Sequence, residues 1–152
     1  MLKEKNKKLY VWACWALTVI CMGVIFWLSS RTATESSEQS GVIVEFLRRL
    51  FGDNIFTDFI VRKSAHCLEF TGLSFLFNLS LYVTKNKPSY ILAVILTSIY
   101  AATDEFHQLF VEGRSCQLTD WAIDTAGAVL GALGFFVIYL IIKKYKETNK
   151  AK

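Results

Sequence analysis

Thr125–Ile142 reads TAGAVLGALGFFVIYLII, eighteen residues without a charge, and Lys143 and Lys144 close it. At about 1.5 Å of rise per residue, a helix over this stretch is roughly 27 Å long, close to the roughly 30 Å of a bilayer's hydrocarbon core. The run predicts a transmembrane helix over Asp120–Ile142, with Asp120 and Asp124 near its start. Three further stretches qualify in the same way. Tyr10–Leu28 carries no charge. Ser64–Val83 carries His66 and Glu69 near its beginning, and Ser89–Phe110 carries Asp104, Glu105 and His107 near its end. The expected fold is an all-α integral membrane protein, a single domain over residues 1–152 with four transmembrane helices.

Composition agrees. The chain is 53% hydrophobic and 20% charged, more apolar than a soluble domain of this length. The net charge of +4 does not indicate nucleic acid, because the basic residues flank apolar segments and do not line one face. Tyr10, Trp12, Trp27, Tyr82, Tyr90, Trp121 and Tyr139 fall near span ends, where amphipathic rings favour the interface. Trp15 does not fit that belt. The first apolar run follows a basic leader but is longer than a signal-peptide core, so an uncleaved helix is expected.

Lysine and arginine set the orientation. Eleven of them fall in the amino-terminal tail, the turn at Lys85 and Lys87, and the tail after Ile142; six fall on the other side, interspersed with acids. Both termini are therefore expected in the cytoplasm, with the loop Ser29–Lys63 outside. In that loop Val42, Phe46 and Leu50, with Ile43, Leu47 and Phe51, recur at helical spacing, and Gly52 is a natural stop. An amphipathic helix over residues 40–51 is expected, either lying on the outer surface or packed on its own domain. The halves show no inverted symmetry, which weakens a carrier reading. Cys14 and Cys21 are too far apart along one helix to bond; whether Cys67 and Cys116 pair is open. No cysteine or histidine spacing singles out a metal, and no cofactor is expected, although His, Glu and Asp can hold a divalent cation.

Depth arithmetic gathers the charges. Counting back from the basic ends, Asp124 sits close to the outer boundary of the hydrocarbon, Asp104 about 6 Å below it and Glu69 roughly 8 Å below it, with His66 one turn higher. His66 and Glu69 are spaced i, i+3; Asp104 faces His107 at i+3 and Gln108 at i+4; Asp120 and Asp124 are i, i+4. Arg114 lies in the turn between the last two groups. A single such pair is more often a lock between helices. About six titratable groups from three helices, with an arginine, suit a reaction or a polar ligand better, because each ionisable group at that depth costs several kcal/mol unless paired. Gly127-x-x-x-Gly131 with Gly134 gives the last span a small-residue face. Ser64 and Ser115 are possible nucleophiles by position only, with no elbow around either.

Three blocks carry a resemblance: Arg62-Lys63-Ser64-Ala65-His66-Cys67-Leu68-Glu69-Phe70, then Asp104 through Arg114 (DEFHQLFVEGR), then Asp120 through Gly131 (DWAIDTAGAVLG). In this order they resemble the VanZ family, over roughly residues 60–135. Phe70 replaces a commoner tyrosine, and Asp124 stands where asparagine is common. The resemblance implies a small multi-pass protein of the bacterial cell membrane, associated through the family's namesake with low-level teicoplanin resistance. It also implies a link with membrane enzymes acting on head groups of lipids and lipid-linked cell-wall intermediates. The expected partner is a membrane lipid or lipid-linked glycan; the sequence sets no oligomeric state. In the leading reading His66 with Glu69 supplies acid/base chemistry and Asp104, His107 and Asp120 complete the catalytic set. Lys63, Glu105, Gln108, Arg114 and Asp124 bind the substrate. The alternative is a membrane binding protein without turnover that shields precursors or recruits a partner.

Overall fold

The computed structural model describes residues 4–52 and 56–150. Lys3 and Lys152 of the orientation count lie outside the described residues, as do the side chains of Lys5 and Lys150. Among the described residues there are five helices and no strand: α1 (Glu4–Ser29), α2 (Ala33–Phe51), α3 (Asp58–Lys85), α4 (Tyr90–Gln108) and α5 (Leu118–Lys150). Three of them, α1, α3 and α5, are long and apolar enough to cross a membrane. The fourth expected span, α4, has 19 residues and carries Asp104 and Glu105 near its end. It is the shortest of the four and is not among the helices long and apolar enough to cross.

Helix α3 is central and touches all four others. Polar contacts fix the directions. Thr18 meets Ser80 at 2.9 Å and Trp15 Nε1 donates to Thr84 Oγ1 at 3.1 Å, so α1 runs antiparallel to α3. That bond, with an edge-on contact between Trp15 and Phe77 at 6.2 Å, explains why Trp15 lies outside the interfacial belt. Tyr100 donates to the Met22 carbonyl at 2.6 Å, and Ser29 to Asp104 at 2.7 Å, which lays α4 alongside α1 in the same direction. The core is Ile25, Phe70, Leu73, Phe77, Leu81, Ala93 and Ala101. Phe70 is fully buried in it.

The closest approach is between α3 and α5. A Cβ added at Gly127 would lie 2.3 Å from the Cys67 carbonyl oxygen, and one at Gly131 would lie 2.2 Å from that of Thr71. Only glycine lets the two backbones come so near. Thr71 Oγ1 uses the proximity, donating to the Gly127 carbonyl at 3.0 Å. Gly134 takes no part, since a Cβ there meets nothing within 4 Å. Because residue 127 faces 67 and residue 131 faces 71, α3 and α5 run parallel. Both chain ends of the described structure therefore lie at the end of the bundle opposite the start of α3.

Helix α2 begins at Ala33, earlier than the expected residue 40. Thr32 caps it: its side chain accepts from Glu35 N, and the Glu35 carboxylate accepts from Thr32 N at 3.0 Å. This is a capping box, and it satisfies two backbone donors that a helix start leaves free. The helix docks on α3 through Asp58, which accepts from Ser37 and Ser40. Val44 is buried in the same contact. The apolar stripe points elsewhere: Val42, Phe46 and Leu50 are 72%, 61% and 60% exposed. The stripe is therefore not the surface that packs on the protein.

Candidate functional site

The polar residues of α3, α4 and α5 meet at the end of the bundle where α3 and α5 begin. The turn Leu109–Gln117 brings them together. Glu105 Oε2 accepts from Gln117 N at 2.9 Å, which closes the turn from inside. Ala33 N donates to the Glu112 carbonyl at 3.2 Å, and Arg114 Nε to the Arg31 carbonyl at 3.0 Å, which tie the turn to the start of α2. Gly113 has φ of 74° and a Cβ there would lie 2.9 Å from Ala33 Cβ, so both its conformation and the close approach require glycine.

Two cavities open at this end. One, of about 190 Å³, is lined by Lys63, Glu105, Gln108, Asp120 and Asp124 among others. A second, of about 120 Å³, lies between α2 and α3 and is lined by Ser36, Gln39, Ser40, Ile43 and Glu69 among others. Arg62, His66 and Arg114 line both. The imidazole and two guanidinium groups thus form the wall between a polar chamber and a smaller one bordered by α2.

The charges are unevenly satisfied. Lys63 and Asp120 form an ion pair, and Arg62 pairs with Asp58 at 3.5 Å. Asp104 is buried; its Oδ2 accepts from Ser29 and from Gln108, the latter at 3.1 Å. Its Oδ1 has no hydrogen-bond partner among the described residues, nor do Glu69 Oε2 and both oxygens of Asp124. Asp124 is 1% exposed. Buried carboxylate oxygens without partners cost several kcal/mol in a low-dielectric layer and are rare outside functional sites. Arg114 forms no ion pair among the described residues, and its terminal nitrogens are uncommitted there. Burial, followed by the neighbouring Arg62, pushes its pKa below the ordinary arginine value, while Asp104, Glu105 and Glu69 act against that shift. A guanidinium remains charged under such a pull.

Not all expected pairs form. Asp104 and Gln108 do hydrogen-bond, as their spacing indicates. Asp104 and His107 do not. His107 Nε2 lies 3.2 Å from Ser30 Oγ, and its ring packs at 4.3 Å on Phe26. His107 lines neither cavity, and neither does Asp104, which is buried beside Ser29 at the end of α1; of this part of α4, Glu105 and Gln108 line the larger one. His66 and Glu69 are on one face and line one cavity, but no hydrogen bond joins them among the described residues. Asp120 turns to Lys63 and leaves Asp124 unpaired. Ser115 lines the larger cavity, with its Oγ accepting from Gln117 Nε2 at 3.0 Å; Ser64 is exposed. All four cysteines are free, Cys67 and Cys116 included. No group of three or more His, Cys, Asp or Glu among the described residues is placed to hold a metal ion.

Two contributors were missed from the sequence. Ser29 is a buried donor to Asp104, and its place at the outer end of the first apolar run was the available signal. Arg62 stood in the orientation count and at the head of the first motif block but was given no role in the site. The α2 residues at the smaller cavity had no such signal, since only docking on Asp58 brings them there.

A helical bundle with three membrane-length apolar helices and a layer of buried carboxylates at one end is compatible with the class of multi-pass membrane proteins. More narrowly, the chain belongs to the VanZ/LLP1 family, whose family model matches residues 14–142. The match covers most of α1 through most of α5 and all three motif blocks. No match is found among curated proteins or among solved structures.

Proposed function

We propose that the protein acts at the outer leaflet of a bacterial cell membrane on the head group of a phosphate-containing lipid or lipid-linked cell-wall precursor. The observation that carries this reading is the shared wall of Arg62, His66 and Arg114 between two cavities. Arginine forks match phosphate oxygens, and Arg114 has nitrogens to spare. The unpartnered oxygens of Asp124, at the larger cavity, and Glu69, at the smaller, are acceptors for hydroxyl groups, which suits a glycan or glycerol head group better than a bare anion. His66, facing both cavities, would accept and return the proton in a head-group transfer or hydrolysis.

The membrane placement supports the same reading. In it, α4 is the fourth span, shortened because its carboxylate end opens into the polar layer. The eleven-to-six split of basic residues supports cytoplasmic termini. The exposed stripe of Val42, Phe46 and Leu50 then inserts into the outer interface, with α2 covering the smaller cavity. A site so placed faces the lipids that a link to teicoplanin resistance requires.

One observation favours the second reading, a binding protein without turnover: His66 lacks the carboxylate hydrogen bond that would hold it in one tautomer. Lipid extracts from cells with and without the protein, combined with H66Q and R114Q variants, separate the two. For an enzyme, H66Q abolishes the change in lipid composition while the purified variant still binds lipid. For a binder, H66Q keeps teicoplanin tolerance and R114Q loses it. No change in lipids, lipid binding or tolerance on deletion of the protein would remove both readings.

A further inference from the structure

Away from the carboxylate layer, α3 and α5 diverge. Their backbones touch at Gly127 and Gly131, yet a Cβ on Gly134 would meet nothing within 4 Å. From there the facing residues are rings. Phe135 lies 5.5 Å from Phe75 and 6.0 Å from Tyr82, and Tyr139 lies 5.7 Å from Tyr82. Small residues at one end and aromatic rings at the other wedge the parallel helices into a V.

The open end of the V is a groove of about 430 Å³, within the usual range of a ligand pocket. Phe75, Leu79, Phe135 and Ile138 line its length, and Lys143, Lys146 and Glu147 stand at its mouth. Along α5, Lys143 is about 28 Å beyond Asp124, roughly one hydrocarbon thickness from the carboxylate layer. The mouth is thus at the end of the bundle where both chain ends lie. The Tyr82 and Tyr139 hydroxyls border it and donate to none of the described residues.

We infer that this groove holds one anionic phospholipid from the leaflet on the side of the chain termini. An acyl chain lies along Phe75, Leu79, Phe135 and Ile138, and the phosphate sits between Lys143 and Lys146. Charge decides between occupants. Two lysines face one glutamate at the mouth, and Lys85, Lys87 and Lys144 are exposed at the same end. A second copy of the chain would bring the same cations to the contact and be repelled, whereas an anionic head group is attracted. The site is at the far end of the bundle from Arg114 and does not rest on the head-group reading.

The test uses the full chain in phosphatidylcholine nanodiscs containing phosphatidylglycerol, with retained lipid counted by native mass spectrometry. The wild type should retain one phosphatidylglycerol in preference to phosphatidylcholine. K143Q/K146Q should weaken that retention about 25-fold, at about fivefold for each lysine near an anionic head group. K85Q/K87Q, which removes equal charge outside the groove, should cost clearly less. Leu79→Trp, which fills the groove, should remove the retained lipid. Equal retention of the two lipids by the wild type would overturn the inference. So would an equal loss in K85Q/K87Q, undiminished retention in Leu79→Trp, or a lipid-free dimer.

Discussion

Replacing Gly131 with alanine tests the packing that holds the site together. The new Cβ would start 2.2 Å from the Thr71 carbonyl oxygen, 2.9 Å from Ser74 Cβ and 3.1 Å from Phe75 N. Two of these three neighbours are backbone atoms of a helix and cannot swing away. To restore an ordinary contact, α3 and α5 must separate by about 1 Å, and overpacking of this kind costs about 1–3 kcal/mol. Alanine returns at most about 1 kcal/mol through its better helix propensity. The net expectation is a destabilisation of about 1–2 kcal/mol. Gly134→Ala is the matched control: with nothing within 4 Å of its Cβ, it should be neutral or gain up to about 1 kcal/mol. Denaturant titration of both variants in one detergent, followed by circular dichroism, gives the difference directly. The separation also pulls Lys63 from Asp120, so lipid binding should fall in Gly131→Ala more than stability does. If the two alanine variants are equally stable, the backbone contact between α3 and α5 is not what the structure describes.

Reporter fusions after Lys87 and after Ile142 should report the cytoplasm and one at Gly52 the exterior; a cytoplasmic Gly52 would end the outer-leaflet reading. Asp124→Asn should fold normally and be at least as stable as the wild type, because it removes a buried charge while keeping a side chain of the same size. A clear fall in its melting temperature would mean that the carboxylate has a partner it needs. His107→Gln should stay within about 0.5 kcal/mol of wild type in stability, as a half-exposed substitution does, and should leave lipid binding intact where Arg114→Gln abolishes it. Equal losses in the two variants would return His107 to the site.

Helix existence was plain in the sequence, because an uncharged run of eighteen residues has few physical outcomes. Which residues share a face was only partly plain. Helical spacing correctly joined Asp104 to Gln108 and brought Gly127 and Gly131 to one surface. It also set Asp104 beside His107, but the two do not hydrogen-bond, since each takes its own partner at the end of α1, Ser29 for Asp104 and Ser30 for His107. Phe26 of α1 and Ser30 just beyond its end hold His107, and nothing in the spacing within α4 announces them. The start of α2 was legible and overlooked: Thr32-Ala33-Thr34-Glu35 is a capping-box pattern, while the hydrophobic stripe alone begins later.

By itself the sequence determined the apolar helices, the gathering of their carboxylates into one layer, and the family. Hydrophobic length and axial rise are one-dimensional quantities and can be counted along the chain. The tertiary structure decided the parallel contact of α3 with α5 and the docking of α2 by Asp58. It also decided that Arg62, His66 and Arg114 would divide two cavities and that Asp124 would be left without a partner. These depend on rotation about each helix axis and on which neighbour reaches a side chain first, and both are settled only when the helices pack.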